Sequence, residues 1–222
     1  MSADKHNALA CWIALQRVPG LGPATLIRLL EQFDSPQQII DNPSLVQGLN
    51  ASVVDGLRHP DWQQVEADLA WLEVDNRYLL TIDDQRYPAL LREISDPPPL
   101  LYVQGDVSLL SQWQLAIVGS RNPSASGRQT AFDFSRYLAS GGLTITSGLA
   151  AGIDGAAHQG ALAHAQGPVA GAGDFGGIGG QCHLPCLRDS VAQLAASASS
   201  GAMVCSVVCG AGCRALWSIG RS

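Results

Sequence analysis

Leu115-Ala-Ile-Val118, followed by Gly119-Ser-Arg-Asn-Pro-Ser-Ala-Ser-Gly127, opens the stretch that decides the fold. A continuous apolar run of four residues suits a strand buried on both faces of a parallel sheet. The loop after it leads into a helix expected over about 128–140, closed by Gly141-Gly142. Leu143-Thr-Ile-Thr146 repeats the strand, Ser147-Gly-Leu-Ala-Ala-Gly152 repeats the loop, and a second helix is expected over about 153–165. Strand, loop, helix, twice over, is the unit of a doubly wound α/β fold. That fold sends both loops to the carboxyl ends of adjacent strands, where its ligands bind.

The first loop lacks Gly-x-Gly-x-x-Gly, which argues against a dinucleotide oxidoreductase. What it holds suits phosphate. Gly119 would let a ligand approach the backbone; Ser120, Ser124 and Ser126 offer hydroxyls; amides at the helix start near Gly127 carry partial positive charge. Arg121 adds a planar fork for phosphate oxygens. The second loop repeats the theme with Ser147, Gly148 and Gly152 around another helix start. Asp154 and His158 stand one helical turn apart, which suits either a general acid/base pair or a packed polar pair. No nucleophile stands at a telling spacing and Ser147 lacks the Gly-x-Ser-x-Gly elbow, so no catalytic residue, cofactor or metal is assigned.

Working outward, apolar residues recur at helical spacing on both sides of Val18-Pro-Gly-Leu-Gly22, with Pro23 suited to the first turn of the second helix. Further helical patterns run to Glu73, so residues 1–75 are expected to form a small all-helical domain. A hairpin with a Gly-x-Gly turn suits either a helix-hairpin-helix whose amides cradle a DNA phosphate or a module that packs and recruits partners. Arg17 and Arg28 are its nearby cations. Residues 77–106 read as a connector with short strands, and Pro97-Pro-Pro99 as a stiff corner between them.

These residues resemble the DNA-processing protein A family, also called Smf. The resemblance is carried by Leu115-Ala-Ile-Val-Gly-Ser-Arg121 with Ser124 and Gly127, and by Thr146-Ser-Gly-Leu-Ala-Ala-Gly-Ile-Asp-Gly-Ala-Ala-His158. It also rests on Asp84 to Gly105 and on the Pro19-Gly-Leu-Gly22 hairpin. It covers residues 8–166. It implies a Rossmann-like domain, here incomplete, that binds and protects single-stranded DNA and helps load the RecA recombinase during natural transformation, without catalytic turnover. By the same resemblance Arg121 would grip the DNA backbone while Gly119, Ser120, Ser147 and Gly148 line the pocket. The alternative from another class is a nucleotide or nucleotide-sugar enzyme or sensor using the same loops. Such an enzyme would be expected to add a Pro-Gly-Gly-x-Gly-Thr loop, which this sequence does not show.

Composition bounds these readings. The 222 residues are 46% hydrophobic and 14% charged with a net charge of -6, which suits a folded chain and excludes a broadly basic coat. No uncharged apolar run reaches the roughly 18 residues of a membrane span. Residues 1–7 carry Asp4 and Lys5 without the pattern of a secretory signal, so a cytoplasmic protein is expected.

The character of the chain changes near Gly167. Beyond it lie only five charged side chains, Asp174, Arg188, Asp189, Arg214 and Arg221, and five cysteines, Cys182, Cys186, Cys205, Cys209 and Cys213. The family would continue with a third strand near Val-Ala-Val-Leu-Gly-Thr-Gly, whereas this chain reads Gly171-Ala-Gly-Asp174. One synonymous encoding of those four, GGT GCT GGG GAC, gives Val-Leu-Gly-Thr when read one nucleotide later. The expectation is that residues 76–170 are the first part of the Rossmann-like domain and that 171–222 are an aberrant tail out of frame. The cysteine spacings are then accidental rather than a zinc site. The α/β part is expected to be a two-strand remnant with an exposed edge, and the family's homodimer and RecA contacts are expected to be lost.

Overall fold

The computed structural model describes residues 3–163, 169–174 and 204–209, with side chains for residues 8–163. The chain divides into two compact units, the first ending at Leu101 and the second starting at Tyr102 and taking in the strands at 169–174 and 204–209.

The first unit begins with five helices: α1 (Ala3–Arg17), α2 (Pro23–Gln32), α3 (Pro36–Asp41), α4 (Ala51–Arg58) and α5 (Trp62–Leu72). Their starts follow local chemistry. Proline sits in the first turn of α2 and α3, where no amide bond is lost. The Ser35 hydroxyl caps α3 by accepting from the Gln38 amide, and the Asp61 carboxylate caps α5 by accepting from Gln64. Between α1 and α2 the chain turns through Gly20 at a φ of 83°. Leu15, Val18, Leu26, Leu29, Ile39 and Leu57 interlock beneath this hairpin.

Arg17 was one of the two cations available to a phosphate-binding hairpin, and the structure commits it elsewhere. Its Nε and Nη2 donate to the two carboxylate oxygens of Asp68 on α5, each at 2.8 Å, and Asp68 is 1% exposed. A two-pronged ion pair at a buried carboxylate ties α1 to α5, and removing one partner would strand the other. Of the two hairpin cations, Arg28 alone is left for a phosphate.

The connector follows as strand β1 (Arg77–Thr81), the short helix α6 (Ala89–Arg92) and strand β2 (Leu100–Gly105), which crosses into the second unit. The triple proline forms the corner between the two strands, with Pro97 half-buried. The Tyr87 hydroxyl donates to the Pro98 carbonyl at 2.8 Å, and Pro98 and Pro99 are both buried. The Ala24 amide donates to Asp96 Oδ1 at 3.0 Å, anchoring the start of α2 to the residue before the prolines.

In the second unit come β3 (Gln114–Ala116), α7 (Ala125–Ser140), β4 (Thr144–Ser147), α8 (Ile153–Ala163), β5 (Val169–Asp174) and β6 (Val204–Cys209). The strands are parallel in the order β3-β4-β5-β6, with Leu115 opposite Ile145, Ile145 opposite Val169, and Val169 opposite Val204. Two parallel strands were expected here and four are described. β5 lies where a third strand belongs topologically, next to β4 and after the second helix, although its Gly and Ala content hid it from a propensity reading. The remainder of the expected tail, with Cys182, Cys186 and Cys213, lies outside the described residues. Among the described residues no helix is long and apolar enough to cross a membrane.

Candidate nucleic-acid interface

Both loops of the site leave the carboxyl ends of neighbouring strands, the first after β3 and the second after β4. Their spacing is set by contacts that a pattern of glycines and serines does not reveal. The Ile153 amide donates to the Ser120 carbonyl at 3.1 Å, and the Ser147 hydroxyl donates to the Ile117 carbonyl at 2.6 Å. Gly152, at a φ of 94°, faces the carbonyl oxygens of Ser120 and Arg121 so closely that a Cβ there would collide with backbone. The two loops are therefore stitched together main chain to main chain.

Asp154 organises the junction. Its side chain is buried, and Oδ1 accepts from the Gly119 amide at 3.3 Å. Burial pushes the carboxyl above its ordinary range, outweighing the Gly119, Ala150 and Gly148 amides that favour its charged form. These amides were expected to stand open to an anion. The structure corrects that expectation: a carboxylate of the chain itself already lies among them, because Asp154 sits in the first turn of α8 where a negative charge is favoured. Gly119 is likewise bare for a packing reason, since a Cβ there would lie 2.8 Å from Ile153.

His158, one turn along α8, is 4% exposed and neither ring nitrogen has a hydrogen-bond partner among the described residues. Burial pushes its pKa down to about 4, against a backbone contact with Ser147 that favours the proton. Asp154 and His158 are thus both enclosed, and no hydrogen bond joins them among the described residues. Leu149, which sequence reading passed over, takes a φ of 56° while 1% exposed. A leucine in the left-handed region costs on the order of 1–2 kcal/mol, and its enclosed side chain holds it there.

What faces solvent is the first loop and the start of α7. The Ser124 hydroxyl caps the helix by accepting from the Gly127 amide at 3.1 Å and shares a hydrogen bond of 3.1 Å with the Ser126 hydroxyl. The Gly127 amide, expected to be open, is therefore satisfied. Ser120 Oγ accepts from the Asn122 amide at 3.1 Å, which keeps its own proton free to donate. Arg121 and Arg128 are exposed, and neither forms an ion pair with a described residue. Gly148 is exposed beside them on the second loop, whereas Ser147 and Gly152 are buried. The eight residues read from the sequence thus divide. Gly119, Ser120, Arg121, Ser124 and Gly148 reach solvent, Gly127 is half-buried, and Ser147 and Gly152 are buried within the loops. Among the described residues no group of three His, Cys, Asp or Glu side chains could hold a metal ion.

A parallel sheet whose crossover loops converge beside the capped start of a helix defines a Rossmann-like domain. Residues 78–179 match the family described as DNA recombination-mediator protein A. The chain is 37% identical over 152 residues to protein Smf of Escherichia coli, covering 68% of this chain and 40% of that one. It is 40% identical over 84 residues to DNA processing protein DprA of Bacillus subtilis, covering 37% of this chain and 28% of that one. The X-ray structure of DNA processing protein A from Streptococcus pneumoniae superposes with a TM-score of 0.64 at 26% identity, over 90% of this chain and 66% of that one. Residues 78–179 carry the DNA-processing protein A, or Smf, family domain, and the chain spans less than half the length of these two curated relatives.

Proposed function

We propose that the second unit binds the phosphate backbone of single-stranded DNA at the rim formed by Arg121, Ser120, Ser124 and Gly148. The observation that carries this reading is Arg121, an exposed guanidinium with no ion pair to a described residue, on a loop fixed by the Gly119 amide to Asp154 and by the Ser120 carbonyl to the Ile153 amide. A pre-positioned planar cation beside the start of a 16-residue helix matches a phosphate in both charge and geometry. Family membership supplies DNA as the polymer that carries the phosphate. Gly127, Ser147 and Gly152 hold the rim in shape rather than touching the strand, and Gly119 lies exposed at its edge.

By the same membership the chain is a binding protein that works in the cytoplasm without catalytic turnover, protecting incoming strands and handing them to the RecA recombinase. The site is tested by titrating a labelled oligothymidylate over a series of salt concentrations, beside calorimetry with nucleoside monophosphates. Binding of the oligonucleotide that weakens steeply with salt, with no heat from the monophosphates, supports the reading. Saturable binding of a monophosphate alone would replace it with a nucleotide site.

A further inference from the structure

Residues 102–163 hold three arginines and three aspartates, with no lysine or glutamate, and all three acids are engaged. Asp106 accepts from the Ser108 amide at 2.8 Å, and Asp154 lies enclosed among the loop amides. Asp133 accepts from the Gln129 side chain at 2.9 Å and from Arg136 at 3.3 Å. Arg136 also lies over the Phe132 ring, 5.9 Å from its centroid. Arg121 and Arg128 are left as the two guanidiniums of this stretch with no ion pair to a described residue, in a chain whose net charge is -6.

The helix directs the second of these toward the first. Arg128 lies one turn into α7, and its amide donates to the Ser124 carbonyl at 3.0 Å. A long helical side chain covers the turn on the N-terminal side of its own Cα, which carries the Arg128 side chain back over Ser124, toward the loop that presents Arg121. Between the two arginines in the chain stand the hydroxyls of Ser124 and Ser126. The Ser124 oxygen accepts from Gly127, and one hydroxyl proton is used in the 3.1 Å bond between the serines, which leaves the other to donate outward. We infer that Arg128 is a second phosphate-holding residue, and that Arg121 and Arg128 take two neighbouring phosphates of one strand. The inference rests on the rim being the DNA site, and it narrows the ligand to a segment carrying at least two adjacent phosphates. Once the first phosphate is held, the second is presented at high effective concentration, so a polymer is retained where a nucleoside monophosphate is not. Contacts of this kind carry no base information.

Salt-dependent titration of a labelled oligothymidylate by the full chain and by Arg128→Ala, Arg128→Lys and Arg136→Ala tests this, with circular dichroism as the check on folding. Arg128→Ala is expected to weaken binding about tenfold, as loss of a charge-assisted contact does. It is also expected to flatten the slope of log affinity against log salt by about 0.7, the share of one phosphate on a single strand, and by about 1.4 when combined with Arg121→Ala. Arg128→Lys keeps the charge without the planar fork, and is expected to restore the slope while affinity stays below that of the parent chain. Arg136→Ala takes the same charge from the same helix and is expected to leave the slope unchanged. If Arg121→Ala flattens the slope and Arg128→Ala does not, this inference is overturned and the site at Arg121 stands. An equal flattening by Arg136→Ala would reduce the effect to general charge and overturn it as well. A parent chain that does not bind the oligonucleotide at all would overturn the DNA reading itself, and this inference with it.

Discussion

Replacing Gly152 by alanine should damage the second unit more than any other single methyl at its loops. Two costs combine. The residue sits at a φ of 94°, where an L side chain is strained by on the order of 1–2 kcal/mol. The added Cβ would also run into the carbonyls of Ser120 and Arg121, which are backbone and cannot swing aside, and overpacking of this kind costs roughly 1–3 kcal/mol. The sum is about 3 kcal/mol, a large fraction of the ~5–15 kcal/mol that holds a typical domain. Gly142 is the internal control, since its φ is 87° but a Cβ there would meet nothing within 4 Å. Gly142→Ala should therefore show the conformational cost alone. Urea unfolding gives the two losses, and hydrogen exchange read over residues 115–163 locates them. Gly152→Ala is also expected to loosen the loop that presents Arg121 and to weaken oligonucleotide binding about tenfold, while Gly142→Ala leaves binding unchanged, about 1.4 kcal/mol corresponding to that factor. Equal stability losses in the two variants would refute the reasoning, because the close approach of the loops would then contribute nothing.

Other consequences follow from the buried groups. The folded His158 titrates near pH 4, below the value of about 6.5 in the unfolded chain, so stability is expected to fall as pH drops from 6.5 to 4 by up to about 3 kcal/mol. Asp154, shifted upward by burial, works the other way and stabilises the fold as it takes up its proton. His158→Phe should flatten the histidine part of the profile in thermal melts between pH 4 and 7, and an unaltered profile would remove His158 from that role. Asp154→Ala strands the amides that face its carboxylate and should cost about 2–4 kcal/mol in urea unfolding; a loss below 1 kcal/mol would mean that the carboxylate does not hold the loops together. Arg17→Ala leaves Asp68 buried without its guanidinium and should destabilise the first unit by about 3–5 kcal/mol, with no change in oligonucleotide affinity. A change in affinity without a loss of stability would return Arg17 to the DNA. Sequencing the gene across residues 166–174 is expected to show Val-Leu-Gly-Thr in another frame, and the absence of such a frame would mean that the glycine-rich strand is the coded one.

The helices and β4 were legible because burial imposes a pattern on the residues that make them, as in the helical spacing of Leu26 and Leu29. Leu115 to Val118 run unbroken and a strand does form there, but it is Gln114–Ala116, and Leu115 and Val118 are exposed rather than buried on both faces of the sheet as the sequence led one to expect. The start of α7 fell three residues earlier than its apolar pattern, because Ser124 caps the helix before the first buried side chain, Ala131. The two serine-glycine loops were recognisable as a site, but their internal roles were not. Gly119 and Gly152 look alike in sequence to glycines that admit a ligand, yet each is bare because another part of the chain approaches it. Asp154 reads as an ordinary first-turn acid, and only the long-range approach of Gly119 reveals that it lies among the loop amides. β5 escaped notice because its residues have low strand propensity and its place is given by topology alone.

The most direct test of the account is the salt dependence of oligothymidylate binding by the chain and by Arg121→Ala. If Arg121 holds one phosphate, the variant should bind all sequences more weakly, by about tenfold, and the slope of log affinity against log salt should flatten by about 0.7. Unchanged affinity and slope would contradict the assignment and leave the rim without its cation.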